Sequence, residues 1–331
     1  MDRPRLLTRR HLLGLGAAAS GALIVPGCSR GRSDEAAPDA AAKIATGNEG
    51  GVYDIYGSGL AKLATEQTGV SMTPVRTEGS VQNLKMLAAG SADIAFSLSD
   101  SALDAWEGAP GTAFSSGALR FSALARTYDN YVHVVVPTSS DIFELKHLNG
   151  RTVNLGPTSS GTRVVANRIL QTAGIKVIPK SLGLEAAVKA LAVGIDKPRE
   201  GIAALIWSGG LPTQPILDLQ STVGFRLVDI GAAAQELARR RFGGYVLSSI
   251  PPSVYKLSNA VPTLAVPNYL LARRGLSDPW AWWTVNTMFR RQSELRDIHP
   301  EAGSLDSRSA IATMPIPLHP AAERWYKENH V

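Results

Sequence analysis

Three short turns concentrate the residues that could do chemistry. They are Gly47-Asn48-Glu49-Gly50-Gly51-Val52-Tyr53, Glu78-Gly79-Ser80-Val81-Gln82-Asn83 and Gly156-Pro157-Thr158-Ser159-Ser160-Gly161-Thr162. Each places glycine with hydroxyl or amide side chains just ahead of a stretch with helical periodicity. A helix start carries unpaired N–H groups and about half a positive charge, so it draws an anion. Glycine lets the backbone approach a ligand, and hydroxyls add donors. One such turn reads equally as a plain N-cap or a tight loop. Several converging on one point would form a neutral cage for a carboxylate, and these recur at strand ends, where open α/β sheets bind ligands.

Other chemistries find no matching pattern. There is no GxxxxGK[ST] phosphate loop, no GxSxG stands at a strand-to-helix turn as a nucleophile elbow requires (Gly27-Cys28-Ser29-Arg30-Gly31 follows the leader-like segment), and Gly14-Leu15-Gly16 lies within that segment. No pair of carboxylates stands out for acid–base work. His11, His133, His147, His299, His319 and His330 are scattered, with no HExxH or other ligand spacing. Cys28 is the one cysteine, which rules out an internal disulfide and a CxxC site. No catalytic residue, metal or cofactor is expected from these patterns.

Several elements must hold the three turns. Lys43-Ile44-Ala45-Thr46 reads as a strand. Leu60, Leu63 and Ala64 share one helical face. Val70–Val75 is strand-like, Asn83–Ala89 is a helix ended by Gly90, and Asp93–Phe96 is a short apolar strand. Tyr131–Pro137 is the most strand-like run, rich in β-branched and aromatic residues. A second series follows: a strand at Thr152–Leu155, helices at Thr162–Ala173 and Ala186–Val193, and a buried strand at Ile202–Trp207. Thr263–Val266 and Tyr269–Ala272 are again strand-like. Ser277-Asp278-Pro279 opens a helix bearing Trp280, Trp282, Trp283, Val285, Met288 and Phe289, read as packing residues in preference to a sugar platform. A last short helix runs near Ala321–Asn329. Strand–helix alternation of this kind predicts an α/β sheet with crossover helices.

The 331 residues, 44% hydrophobic and 19% charged, are enough for a sizeable core and two domains. The formal charge of +6 is uneven: Arg3, Arg5, Arg9 and Arg10 against Asp2 carry half of it within residues 1–27. No basic stripe interleaved with aromatics follows, which argues against nucleic acid. The uncharged run Leu12–Val25 is short for a membrane span and reads as the core of a signal peptide. Thr8-Arg9-Arg10 with Leu12-Leu13 resembles a twin-arginine signal, with general secretory export as the alternative. Val25-Pro26-Gly27-Cys28 resembles a bacterial lipobox, so Cys28 is the expected lipidation site and the membrane a partner through that anchor. Residues 28–42, small, polar and charged, read as a flexible tether.

At the three turns and beyond, the chain resembles the TAXI-type solute receptors of tripartite ATP-independent periplasmic (TRAP) transporters. The likeness runs from about Lys43 to Tyr326 through seven ordered blocks. These are Ile44-Ala45-Thr46-Gly47 with Gly50-Gly51-Val52-Tyr53; Gly79-Ser80-Val81-x-Asn83-Leu84 with Leu87-Ala88-Ala89-Gly90; Ala92-Asp93-Ile94-Ala95-Phe96 with Ser99-Asp100; Asn154-x-Gly156-Pro157 with Ser160-Gly161-Thr162; Gly209-Gly210-x-Pro212-Thr213; Pro262-Thr263-x-x-Val266-Pro267-Asn268; and Pro315-Ile316-Pro317-Leu318-His319-Pro320.

The resemblance implies a two-lobed, type II periplasmic-binding-protein-like α/β fold with hinge strands. Lobe 1 would comprise residues 43–136 with 262–331, and lobe 2 residues 137–261. It implies an extracytoplasmic receptor for a small anionic or zwitterionic metabolite of the glutamate, glutamine or 2-oxoglutarate class, handed to TRAP membrane subunits. It places Tyr53, Ser80, Asn83, Ser160, Gly161 and Thr162 on ligand-facing loops, and Gly209, Gly210 and Pro212 on a further loop. Leu98 stands where the family often has Gln, and Asn48-Glu49 replaces a small pair. Glu49 either points to solvent or meets a ligand with a cationic or neutral group. A sensor receptor and an enzyme on the same fold are the competing readings; genomic adjacency to transporter subunits separates the first, turnover of a bound metabolite the second.

Overall fold

The computed structural model describes residues 35–197, 199–240 and 244–329. The candidate leader, with Cys28, lies outside them. Among the described residues no helix is long and apolar enough to cross a membrane.

In chain order the elements are β1 (Ala42–Ala45), α1 (Val52–Thr68), β2 (Met72–Val75), α2 (Ser80–Ala88), β3 (Ile94–Leu98), α3 (Ser99–Glu107), β4 (Phe121–Pro137), β5 (Thr152–Asn154), α4 (Gly161–Thr172), β6 (Ile178–Lys180), α5 (Leu184–Asp196), β7 (Ala204–Gly209), α6 (Gln214–Thr222), β8 (Phe225–Leu227), α7 (Gly231–Arg240), β9 (Val246–Ile250), α8 (Pro252–Tyr255), β10 (Val261–Arg273), α9 (Asp278–Arg290), α10 (Gln292–Ile298), α11 (Ser307–Ala310) and α12 (Pro320–Glu328). The strands are ordered β2-β1-β3-β10-β4-β7-β5-β6, with β8 on β4 and β9 on β10. Parallel pairs occur at both ends of this order, β1 with β2 and β3, and β5 with β6 and β7. Between them run β4 and β10, antiparallel to each other and to their neighbours.

Alternation along the strands builds a helix layer on each face. In the first half, Leu270 and Ala272 join Ile44 and Phe96 in a core with Leu60 of α1 and Trp280 of α9, while Tyr269 and Leu271 face Leu84 of α2 and Ala102 of α3. In the second half, Val134, Val136 and Ile206 meet Val165 of α4 and Leu237 of α7, while Val135 and Leu205 meet Leu191 of α5 and Ile216 of α6. The cores change over inside the long strands, between Tyr128 and Val132 in β4 and between Val266 and Leu270 in β10.

Sequence patterning places most elements and misses others for local reasons. β4 starts ten residues before the expected Tyr131, because Arg126, Thr127, Asp129 and Asn130 interrupt its apolar pattern. The two expected strands around Pro267 are one, β10. A register shift between Pro267 and Tyr269 accommodates the proline, which has no N–H to donate. The first half of the expected leash is undescribed, but residues 35–41 lie against α9 and α12. The Trp280 indole donates to Ala40 O at 2.6 Å, Trp283 donates to Glu35 O and Ala36 O at 3.1 Å, and Arg324 pairs with Glu35. A half-buried indole N–H needs an acceptor, and this small-residue segment supplies backbone carbonyls.

Candidate binding cavity between two helix-capped halves

A cavity of about 40 Å³ lies between the halves, lined by Gly47, Asn48, Gly51, Val52, Tyr53, Glu78, Gly79, Ser80, Leu98, Tyr128, Asn130, Ser160, Gly161, Thr162, Trp207, Ser208 and Gly209. The starts of α1, α2 and α4, capped by Gly51, Gly79 and Ser160, all reach it. Three partial positive charges therefore converge where, among the described lining residues, no lysine or arginine stands.

The starts of α2 and α4 touch across the gap. Gly79 sits at φ 120°, and a Cβ built there would stand 3.7 Å from Ser160 Cα. A Cβ on Gly161 would fall 2.5 Å from Ser80 Oγ and 2.6 Å from Leu98 Cδ1. Glycine is required at 161 by space and at 79 by backbone conformation. Gln82 N–H donates to Ser159 O at 3.0 Å, and Ser159 N–H donates to the Glu78 carboxylate at 2.7 Å.

Side chains are committed unequally. Ser160 Oγ accepts from Arg163 N at 3.0 Å and donates to Pro157 O at 2.7 Å, so it is a fully used N-cap. Ser80 Oγ accepts from Leu98 N at 3.0 Å, and Thr162 Oγ1 accepts from Ser208 N at 3.3 Å, which leaves Thr162's O–H free to donate inward. Tyr53 stacks on Phe96 with centroids 5.0 Å apart and donates its phenol to Asn268 Oδ1. Burial pushes the Tyr53 phenol well up, so it remains a donor. Asn268 Nδ2 donates to Asn130 Oδ1 at 2.9 Å, and Asn130 Nδ2 donates to Ser208 O at 3.1 Å. A polar chain thus runs from α1 through β10 and β4 to β7.

Of the nine residues expected at the site, Tyr53, Ser80, Ser160, Gly161, Thr162 and Gly209 line the cavity together. Asn83, Gly210 and Pro212 do not. Asn83 is buried, donating to Thr46 O at 2.7 Å and Phe96 O at 2.8 Å and accepting from Thr77 at 2.6 Å; it stitches the β1 and β3 ends to α2. Gly210 packs against Glu301, and Pro212 follows a cis peptide bond in the same loop. Glu49 is exposed and pairs with Arg76 at 2.8 Å, which also holds the buried Asp54 at 3.0 Å; Glu49 is turned away from the cavity. Tyr128, Asn130, Trp207 and Ser208 are lining residues that sequence reading misses. Trp207 and Ser208 lie near the end of β7, a legible signal, whereas Tyr128 and Asn130 lie mid-strand in β4, where local sequence gives none.

Further contacts join the halves. Arg168 of α4 lies 2.9 Å from Asp100 and also pairs with Asp104, both buried on α3, and Tyr245 donates to Asp100 at 2.8 Å. Leu211 N–H donates to the Glu301 carboxylate, which also accepts from Ser304 at 3.2 Å. Burial pushes the Glu301 carboxyl up to about 7. Among the described residues no three His, Cys, Asp or Glu side chains come together as metal ligands.

Fold and cavity define a periplasmic-binding-protein-like α/β protein. Among solved structures, MatC from Rhodopseudomonas palustris with bound malate is 12% identical over 88% of this chain and 99% of its own, with TM-score 0.58. The periplasmic binding protein BugD is 9% identical over 88% and 97%, with TM-score 0.58. The alkanesulfonate-binding protein SsuA from Xanthomonas axonopodis pv. citri is 16% identical over 88% and 85%, with TM-score 0.48. The chain belongs to the NMT1-like family, whose model matches residues 44–329.

Proposed function

We propose that this protein is an extracytoplasmic solute-binding receptor that captures a small carboxylate-type metabolite and releases it to a membrane transporter without chemical change. The observation that carries this reading is the convergence of three helix starts on one cavity free of cationic side chains among its described lining residues. Such a site favours an anion through fixed dipoles and backbone donors. The malate bound by MatC, a small dicarboxylate on the same fold, agrees with that preference.

Finer parts of the proposal rest on the sequence. The ordered blocks resembling TAXI-type receptors point to TRAP membrane subunits as partners and to the glutamate, glutamine or 2-oxoglutarate class of ligand. Cys28 is the lipid anchor in this reading, outside the described residues. The lobes open for entry and close over the ligand about β4 and β10. Denaturing the purified protein and identifying the released molecule by mass spectrometry tests the reading. A small carboxylate at near one equivalent is expected; an uncharged or cationic ligand would overturn it.

A further inference from the structure

One contact between the halves carries a buried carboxyl. Glu301 lies in the turn Pro300–Ser304, which is held to the first half by Ala302, in the core with Leu60 and Trp280. Its carboxylate accepts the backbone N–H of Leu211, in the loop after β7, and Leu211 packs on the second half's core. Gly210 presses on the same side chain: a Cβ there would stand 2.7 Å from Glu301 Cγ. Gly209, one residue earlier, lines the cavity. Glu301 is 7% exposed, and part of its cover is this loop of the other half. Opening the halves, like unfolding, returns the carboxyl to water.

Nothing around Glu301 offsets a negative charge. Among the described residues no lysine or arginine pairs with it. From β4, Asp129 faces it with like charge, and Arg126 is already paired with Asp129 at 2.9 Å. Burial keeps Tyr128 and Tyr131 of β4 and Tyr255 of α8 protonated and neutral. His299 of the adjoining residue pair accepts the Glu301 N–H at 3.2 Å, and burial lowers its own hold on a second proton. The Ser304 hydroxyl, 3.2 Å away, can accept as well as donate. A neutral carboxyl therefore keeps its contacts to Leu211 and Ser304. An ionised one is buried without a counter-ion and repels an anion in the cavity. The upward shift of this group in the apposed halves agrees.

Resting on the receptor reading above, we infer that capture of the carboxylate is coupled to uptake of one proton by Glu301 as the halves close. The receptor then holds its ligand more tightly in mildly acid surroundings and releases it more readily as they turn alkaline. Closed halves bind this proton more strongly than open ones, so closure is favoured below about pH 7, and the advantage is lost as pH rises through that value.

Calorimetry on the purified full chain tests this with malate, glutamate, glutamine and 2-oxoglutarate as probes, in buffers of different ionisation enthalpy so that protons are counted. For a probe that binds, about 0.9 proton per molecule is expected to be taken up at pH 6 and almost none at pH 8.5, with binding about tenfold tighter at pH 6. Glu301→Gln keeps an acceptor for Leu211 and carries no charge. It should abolish the uptake and bind as tightly at pH 8.5 as at pH 6, which a merely structural role would not produce. Binding to the native chain with no proton uptake at pH 6, or uptake that persists in Glu301→Gln, overturns the inference and leaves the receptor reading in place. Failure of all four probes to bind contradicts the carboxylate reading itself, and this inference with it.

Discussion

The phenol of Tyr53, at the start of α1, donates its proton to the side chain of Asn268, which lies 215 residues later at the irregularity in β10. That bond fixes a helix start to a strand shared by both halves. It also commits the Tyr53 proton, so Tyr53 acts on a ligand mainly by positioning the α1 start and Asn268. Tyr53→Phe keeps the stack on Phe96 but leaves Asn268 Oδ1 without this donor. A stability loss of about 1–3 kcal/mol is expected by denaturant unfolding, with weaker ligand binding. Unchanged stability would show that the bond contributes nothing net.

Gly161→Ala places a methyl 2.5 Å from Ser80 Oγ and 2.6 Å from Leu98 Cδ1, across the gap between halves. Leu98 belongs to the buried core of the second half, so it must shift to make room. Ligand affinity is expected to fall tenfold or more, about 1.4 kcal/mol, with a lowered melting temperature for the empty protein as well. Small-angle scattering should show the variant failing to compact when ligand is added. Native affinity in this variant would argue against apposition of α2 and α4 in the bound state.

Acid stability should report two buried groups of opposite sign. Glu301 titrates near 7 when folded against an ordinary 4.5, because burial disfavours its charge. The folded state holds that proton longer, so stability falls as pH rises from about 4.5 to about 7. His133 is buried, with one ring nitrogen 2.9 Å from Tyr131 O and the other 2.9 Å from the Tyr255 hydroxyl, and burial lowers it from 6.5 to about 4. Its contribution is lost as pH falls from about 6.5 to about 4. Each is worth about 3 kcal/mol over its window, and in the native chain they oppose each other. Glu301→Gln removes the first, so unfolding at pH 7.5 and 4.5 should show the variant losing about 3 kcal/mol more than native on acidification. Parallel profiles would refute the assignment.

Arg168 lies between two carboxylates that are almost wholly buried on the facing helix. Arg168→Met removes the cation and is expected to cost about 3–5 kcal/mol. Replacing Asp100 and Asp104 with Asn in the same chain should recover most of that loss, measured by chemical unfolding. No recovery would place the cost in the arginine's packing.

The strand–helix alternation was legible because short apolar runs and glycine-bearing turns are local signals. All three such turns do open helices, α1, α2 and α4. What escaped depended on distant partners. Asn83 looks like a ligand-facing amide by position, but its side chain is consumed by the backbone of Thr46 and Phe96. Gly210 looks like a ligand loop but accommodates Glu301, some ninety residues on. Tyr128 and Ser208 sit in strands whose burial gives no hint that their hydroxyls lack partners. Residues 35–41 read as a leash by composition, and the indoles of α9 with Arg324 of α12 give them a place.

The most direct measurement is a crystal structure of the protein with its retained ligand. Backbone N–H groups of the first turns of α1, α2 and α4 should meet one carboxylate at about 2.7–3.1 Å. A ligand bound elsewhere, or one whose charged group turns away from those three helix starts, would contradict the account.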